Sequence, residues 1–265
     1  MWWRRIVLWA RVIAVTWAGL VGLLEVLVHY ELVTPSPRVQ PTIWIISLSM
    51  IGLGSLGGII GDAVKQRFAE RKSLYDNALM TLLIELSRDQ TARFEDLGGS
   101  VYRPARWRRT VRHEDGTRSV RLKRVHRFRP SAFPLPSGIT WTARTGAVGE
   151  CWTSHRPVPK NWQAVAAKYQ GPVGAADFRR VSKETKNGFS LDEFNAIAHR
   201  YSEVLAVPVW DPARDDKQVG VLSVDRLYAE DVTFKPILSS TVAQRLVAAT
   251  SAAVGSILKP QGKND

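Results

Sequence analysis

The sequence predicts an α+β chain: a two-helix transmembrane hairpin at the N-terminus, then an antiparallel sheet flanked by helices. Three observations carry this expectation. Two long apolar stretches occupy the first sixty or so residues. A stretch rich in helix formers, without Pro or Gly, follows them. From about residue 99 the pattern becomes short alternating segments bounded by turn residues.

The first apolar stretch, Ile6–Val28, is broken only by Arg11 and Glu25. These lie about 21 Å apart along a helix, near enough to the two ends for both side chains to reach the headgroups. The second, Val39–Gly61, is uncharged throughout and long enough to cross a bilayer with some tilt. HYELVTPSPR, with Pro35 and Pro37 as helix breakers, joins them. The expected hairpin covers residues 1–63, with spans at about 6–28 and 39–61. A cleaved signal peptide would also fit Arg4 and Arg5, but no convincing small-x-small site follows, and the second span would still anchor the chain.

Basic residues set the expected orientation. Arg4, Arg5 and Arg11 flank the first span, and Lys65, Arg67, Arg71 and Lys72 follow the second, while the loop has only Arg38. Both termini are expected in the cytoplasm, giving a multi-pass protein of the cell membrane. Gly54/Gly58 and Gly57/Gly61 form Gly-x-x-x-Gly pairs, a helix-packing surface for the chain's own first span or for a second copy.

Residues 64–98 are expected to be a connecting helix leading into the domain. Phe68, Tyr75 and Leu82 recur every seven residues, with Leu79 and Leu86 four beyond the last two. Such a seam suits a parallel dimer helix, or an amphipathic helix packed on the domain that follows.

That domain is expected over 99–258, with 259–265 a polar tail. Ser100–His113 and Arg118–Arg129 flank Glu114-Asp115-Gly116-Thr117, a hairpin signal. Alternation places Val120, Leu122, Arg124, His126 and Phe128 on one face, and Arg121, Lys123, Arg127 and Arg129 on the other. VLAVPVWDPARDDKQVGVLSVD reads as two strands joined by a polar turn. Phe234–Leu258 reads as a closing helix with Leu238, Val242, Leu246, Ala249, Ala253 and Ile257 on its apolar stripe.

The net charge of +13 is concentrated in one place. Residues 103–129 carry 11 basic and 2 acidic side chains, so the flanking regions are close to balance. This argues against nucleic-acid binding by the whole domain. Arg106, Arg108, Arg109, Arg121, Lys123, Arg127 and Arg129 instead form a candidate surface for anionic lipid. An anionic partner, or a charged edge that resists strand-to-strand aggregation, uses the same residues. Arg106, Trp107, Arg108 and Arg109 also interleave an aromatic with cations, as single-strand binders do.

No nucleophile motif, phosphate loop or kinase signature is present, so no catalytic residue is assigned and the chain is not expected to be an enzyme. The five histidines lack metal-ligand spacing, so no metal site is assigned, and no cofactor is identified. Cys151 is the single cysteine. A redox-sensing thiol, a tetrapyrrole attachment point and a buried structural residue are its candidate roles. Trp141, Trp152, Trp162, Phe178 and Tyr201 supply rings for stacking or for packing.

At the level of motifs, residues from roughly 75 to 258 resemble a GAF domain. The resemblance rests on Gly146-Ala-Val-Gly149 followed by Cys151-Trp152 and Arg156-Pro157-Val158. It rests also on VLAVPVW…QVGVLSVD, covering Leu205, Pro208, Gly220, Val221, Leu222 and Asp225, and on the closing helix. It implies an antiparallel sheet with helices on one face, a ligand pocket on the other, and 159–203 as variable helices over that pocket. On this basis Trp141, Cys151, Trp152, Phe178, Tyr201 and Asp225 are the candidate ligand-binding residues.

The expected function is a membrane-anchored cytoplasmic sensor that binds a small ligand or a protein partner, with homodimerisation open. Two alternatives remain: a membrane-disrupting effector gated by a nucleotide messenger, and a scaffold that binds no ligand.

Overall fold

The computed structural model describes residues 2–32, 39–88, 92–106, 109–112, 116–131, 133–169, 171–228 and 234–258. The side chains of residues 2–8, 10, 11, 14, 39–44, 46–61 and 215 are outside it. The chain divides into two compact units, Met1–Glu70 and Arg71–Asp265.

The first unit contains helix α1 (Trp2–His29) and the start of helix α2 (Val39–Arg88). α1 ends with Glu31 in the left-handed region at φ 56°. Leu32 N–H donates to Leu27 O and Glu31 N–H to Val28 O, the paired bonds of a Schellman cap. Trp9, Val15, Leu20, Leu23 and Val26 of α1 are exposed apolar side chains. Among the described residues, only Thr241–Leu258 is a helix long and apolar enough to cross a membrane, and Val15–His29 is a shorter apolar stretch.

The second unit is built on a five-stranded antiparallel sheet. Its strands are β1 (Leu97–Pro104), β4 (Leu122–Phe128), β5 (Val158–Asn161), β6 (Tyr201–Asp211) and β7 (Arg214–Leu227), in the order β4-β1-β7-β6-β5. Between β1 and β4, β2 (Thr110–Arg112) and β3 (Arg118–Val120) pair as a separate two-stranded ribbon. The basic hairpin is therefore two ladders, β1–β4 in the main sheet and β2–β3 beyond it.

One face of the sheet carries Val101, Leu205, Val207, Val209, Leu222 and Val224. They pack against Tyr75, Leu79, Leu82, Leu83 and Leu86 of α2 and against helix α8 (Thr241–Leu258). The heptad positions of α2 from Tyr75 onward are thus spent on the domain's own core. Gly99 lies under Leu79, where a Cβ would stand 3.0 Å from a methyl carbon, so its lack of a side chain sets the helix close to the sheet.

The opposite face is covered by helix α3 (Gly146–Ser154), through Ala147, Val148 and Cys151. Beside it lies a cluster from four short helices, α4 (Gln163–Lys168), α5 (Ala175–Arg180), α6 (Lys183–Lys186) and α7 (Leu191–Ala198). Trp162, Phe189, Phe194 and Ile197 form its buried centre. α7 opens with a capping box between Ser190 and Glu193.

Two sequence expectations are corrected here. The closing helix begins at Thr241, not Phe234, because Ile237 and Leu238 give their backbone N–H groups to the buried carboxylate of Glu203. Its buried stripe is Ala243, Val247, Ser251, Val254, Gly255 and Leu258, while Val242 is exposed. Small residues on that stripe let the helix approach the sheet. A Cβ on Gly255 would collide with Trp210 O.

The second correction concerns β4. Its register on β1 shifts between Val101 and Tyr102, pairing Val101 with His126 and Tyr102 with Arg124, so Val125 is an extra residue. A bulge breaks the period-2 rule and exchanges the faces on either side of it. His126 falls on the α2 face, where it meets Asp76. Arg127 and Arg129 fall on the α3 face with Arg124, not on the outer cationic surface.

Candidate functional site

The bulge assembles a polar floor on the face covered by α3. A cavity of about 40 Å³ lies there, lined by Ser100 and Tyr102 of β1, Arg124 and Arg127 of β4, Ser137 and Trp141 of the segment between β4 and α3, Ala147 and Val148 of α3, Tyr201 and Val204 of β6, and Ser223 and Asp225 of β7. Trp162, Phe189 and Ile197 of the helical cover complete it. Trp141 stands edge-on to Tyr102 at 5.3 Å and to Phe189 at 6.1 Å, joining floor to cover.

Of the sequence candidates, Trp141, Tyr201 and Asp225 line this cavity together. Cys151 does not. It is fully buried among Val148, Val158 and Ala206, and burial, with Glu150 adding to it, pushes its thiol up to about 12. Trp152 packs at the edge of the same cluster, and Phe178 packs on Phe194 at 5.5 Å.

The cationic candidates separate into two groups. Arg106, Arg109, Arg121 and Lys123 are exposed. Arg127 lines the cavity and donates to Pro134 O. Arg129 is a further correction: its side chain is only 2% exposed and pairs with Asp225. It also donates to Asp96 O at 3.2 Å and lies over the Tyr201 ring. Burial lowers its pKa to about 10, still well above neutrality, so the charge is kept and held inside. Gly98 makes room for it, because a Cβ there would overlap the guanidinium. Arg108, and the surroundings of Gly54, Gly57, Gly58 and Gly61, lie outside the described residues.

Outside the cavity, Arg103, Arg106, Arg121 and Lys123 line an open cleft of about 710 Å³ that shares Arg124 and Trp141 with it. Among the described residues, no cluster of three or more His, Cys, Asp or Glu could hold a metal ion.

Sequence reasoning did not single out Tyr102, Arg124, Ser100 or Ser223 as cavity residues. A serine at alternate positions within an apolar strand was the available signal for Ser100 and Ser223. Nothing local marks Arg124, because the bulge that turns the strand is decided by pairing.

No family model matches the chain, and no curated protein does. Solved structures that are similar include the GAF domain from Acinetobacter phosphoenolpyruvate-protein phosphotransferase, at 15% identity and a TM-score of 0.36, covering 74% of this chain and 90% of that one. A GAF domain region from a Geobacter sulfurreducens PCA protein gives 16% and 0.37 over 72% and 97%. The GAF domain of a two-component sensor histidine kinase from Bacillus halodurans gives 13% and 0.36 over 67% and 91%. The domain's own geometry agrees with the architecture that the motif resemblance implies. The antiparallel sheet, the α3 turn at Gly146–Gly149, and the cavity opposite the α2 and α8 face stand where the motifs put them.

Proposed function

We propose that the chain is a membrane-anchored, non-enzymatic sensor whose GAF-like domain binds a small ligand on the cytoplasmic side. The observation that carries the reading is the cavity at Trp141, Tyr201, Tyr102 and Arg127, set on the sheet face opposite α2. A ligand there presses on β4 and β7, whose other faces bear on α2 residues 71–88 and on α8. The apolar spans at 6–28 and 39–61 anchor the chain as a multi-pass membrane protein, and the exposed apolar side chains of α1 are consistent with a lipid surround. Arg106, Arg109, Arg121 and Lys123 face anionic headgroups in this reading, each worth about 1 kcal/mol close to such a surface.

Two measurements test it. The full chain should stay with the membrane pellet through alkaline carbonate extraction, and a chain lacking residues 1–63 should not. Release of the full chain would remove the anchor. A thermal-shift screen of small molecules should find ligands that stabilise the wild type and not Trp141→Ala. Ligands indifferent to Trp141 would remove the cavity as the sensing site.

A further inference from the structure

Positive charge and hydrogen-bond donors reach the cavity from three directions. Arg124 and Arg127 come from β4, with Tyr102 beside them on β1. Trp141 comes from the loop before α3, and its indole N–H is buried without a partner. Ala147 and Val148 come from the first turn of α3, and no hydrogen bond from the described residues engages their backbone N–H groups. First-turn N–H groups carry the positive end of the helix dipole and favour an anion.

Against these donors the lining holds one carboxylate, Asp225, already paired with Arg129. Arg124 and Arg127 have no ion-pair partner among the described residues. Burial lowers the pKa of Arg127, Tyr201 opposes this, and Arg124 and Arg200 push it further down. Like charges are therefore held together in a half-buried place, an arrangement that an anion would relieve. Size narrows the choice. The cavity is small, about 40 Å³, so it suits a compact polar group rather than a bulky one. A planar carboxylate matches both that size and the fork of a guanidinium.

We propose that the cavity binds the carboxylate of a small organic acid between Arg124, Arg127 and the N-terminus of α3. This rests on the sensor reading above and names the chemical class of its ligand. The rest of the acid extends past Trp141 toward the open cleft, which shares that residue and Arg124.

Saturation-transfer NMR on the full chain in neutral detergent, with acetate and its uncharged counterpart acetamide as probes, tests the proposal. Acetate should show saturable transfer and acetamide none. Arg127→Gln and Arg124→Gln should each weaken acetate binding by about tenfold, the loss of one charge-assisted hydrogen bond. Arg245→Gln, on the exposed side of α8, should leave it unchanged. Two substituted positions on one strand guard against a single variant that fails to fold. Equal binding of acetamide, or acetate binding indifferent to both arginines, overturns the carboxylate assignment. If a neutral molecule then binds in a Trp141-dependent way, the ligand cavity survives without its anion. If no small molecule binds at all, both readings fall.

Discussion

His126 donates its Nε2–H to a carboxylate oxygen of Asp76 at 2.8 Å, and its ring stacks on Tyr75 with centroids 5.1 Å apart. Arg127, the next residue, lines the cavity on the other face of the sheet. Adjacent residues of one strand therefore touch helix α2 and the candidate ligand site. One peptide unit separates the two contacts.

Asp76 should report on this contact through pH. Burial alone would raise its pKa, but hydrogen bonds from His126 and from Lys72, the latter at 2.8 Å, outweigh it and leave the pKa below the ordinary 3.8. A carboxylate depressed in the folded state adds stability that is present above the unfolded value and is lost as pH falls through the folded one. Asp76→Asn should therefore lower stability at neutral pH, by about 1 kcal/mol, because Asp76 is only partly buried and its Lys72 partner is largely in solvent. It should also flatten the loss of stability below about pH 4. Urea midpoints measured from pH 2 to 7 check this. A parallel offset at every pH would contradict it.

Glu203 should matter far more to folding than to any ligand. Its carboxylate, 2% exposed, accepts from Ile237 N–H at 3.0 Å, from Leu238 N–H at 2.8 Å and from Arg226 Nη1 at 3.4 Å. Glu203→Gln leaves Arg226 buried without its counter-charge, so a loss of about 3 kcal/mol is expected. A denaturant midpoint lowered at constant slope would show it, with carboxylate binding unaltered in the folded fraction.

Gly146 and Gly149 are needed by the backbone. Gly146 has φ +65°, and a Cβ there would stand 2.8 Å from Phe189 Cζ. A Cβ at Gly149 would meet Thr142 O. Alanine at either site should cost about 1–3 kcal/mol. Thermal unfolding of the two variants checks this, and a neutral result at Gly149 would mean that the loop before α3 yields easily.

Cys151 should be inert in the folded protein. It is fully buried, and its pKa of about 12 leaves almost no thiolate at pH 8. A thiol reagent should label it slowly in native buffer and rapidly in denaturant. Equal rates would return it to the list of reactive thiols.

Much of the frame was legible along the chain. Alternation over Gln218–Asp225 divides the two faces of β7 from Gly220 to Asp225, but it misplaces Val219, which a register shift leaves as an extra residue packed toward the α2 face. Trp141, Tyr201 and Asp225, candidates only through the GAF resemblance, line the cavity. The closing stripe was misread by one residue, because Ser251 and Gly255 are buried for their smallness and carry no apolar signal.

Composition, hydropathy and motif spacing by themselves determined the α+β class, the two apolar stretches at 6–28 and 39–61, and the concentration of charge in residues 103–129. These are properties of local runs, and a local run can be read without knowing its neighbours. Only the tertiary structure decided where that charge goes. One extra residue at Val125 turns Arg127 and Arg129 from an outer surface into the domain. The bulge exists because β4 must match β1 on both sides of it. That register is a property of the pair of strands, which neither strand's sequence contains alone.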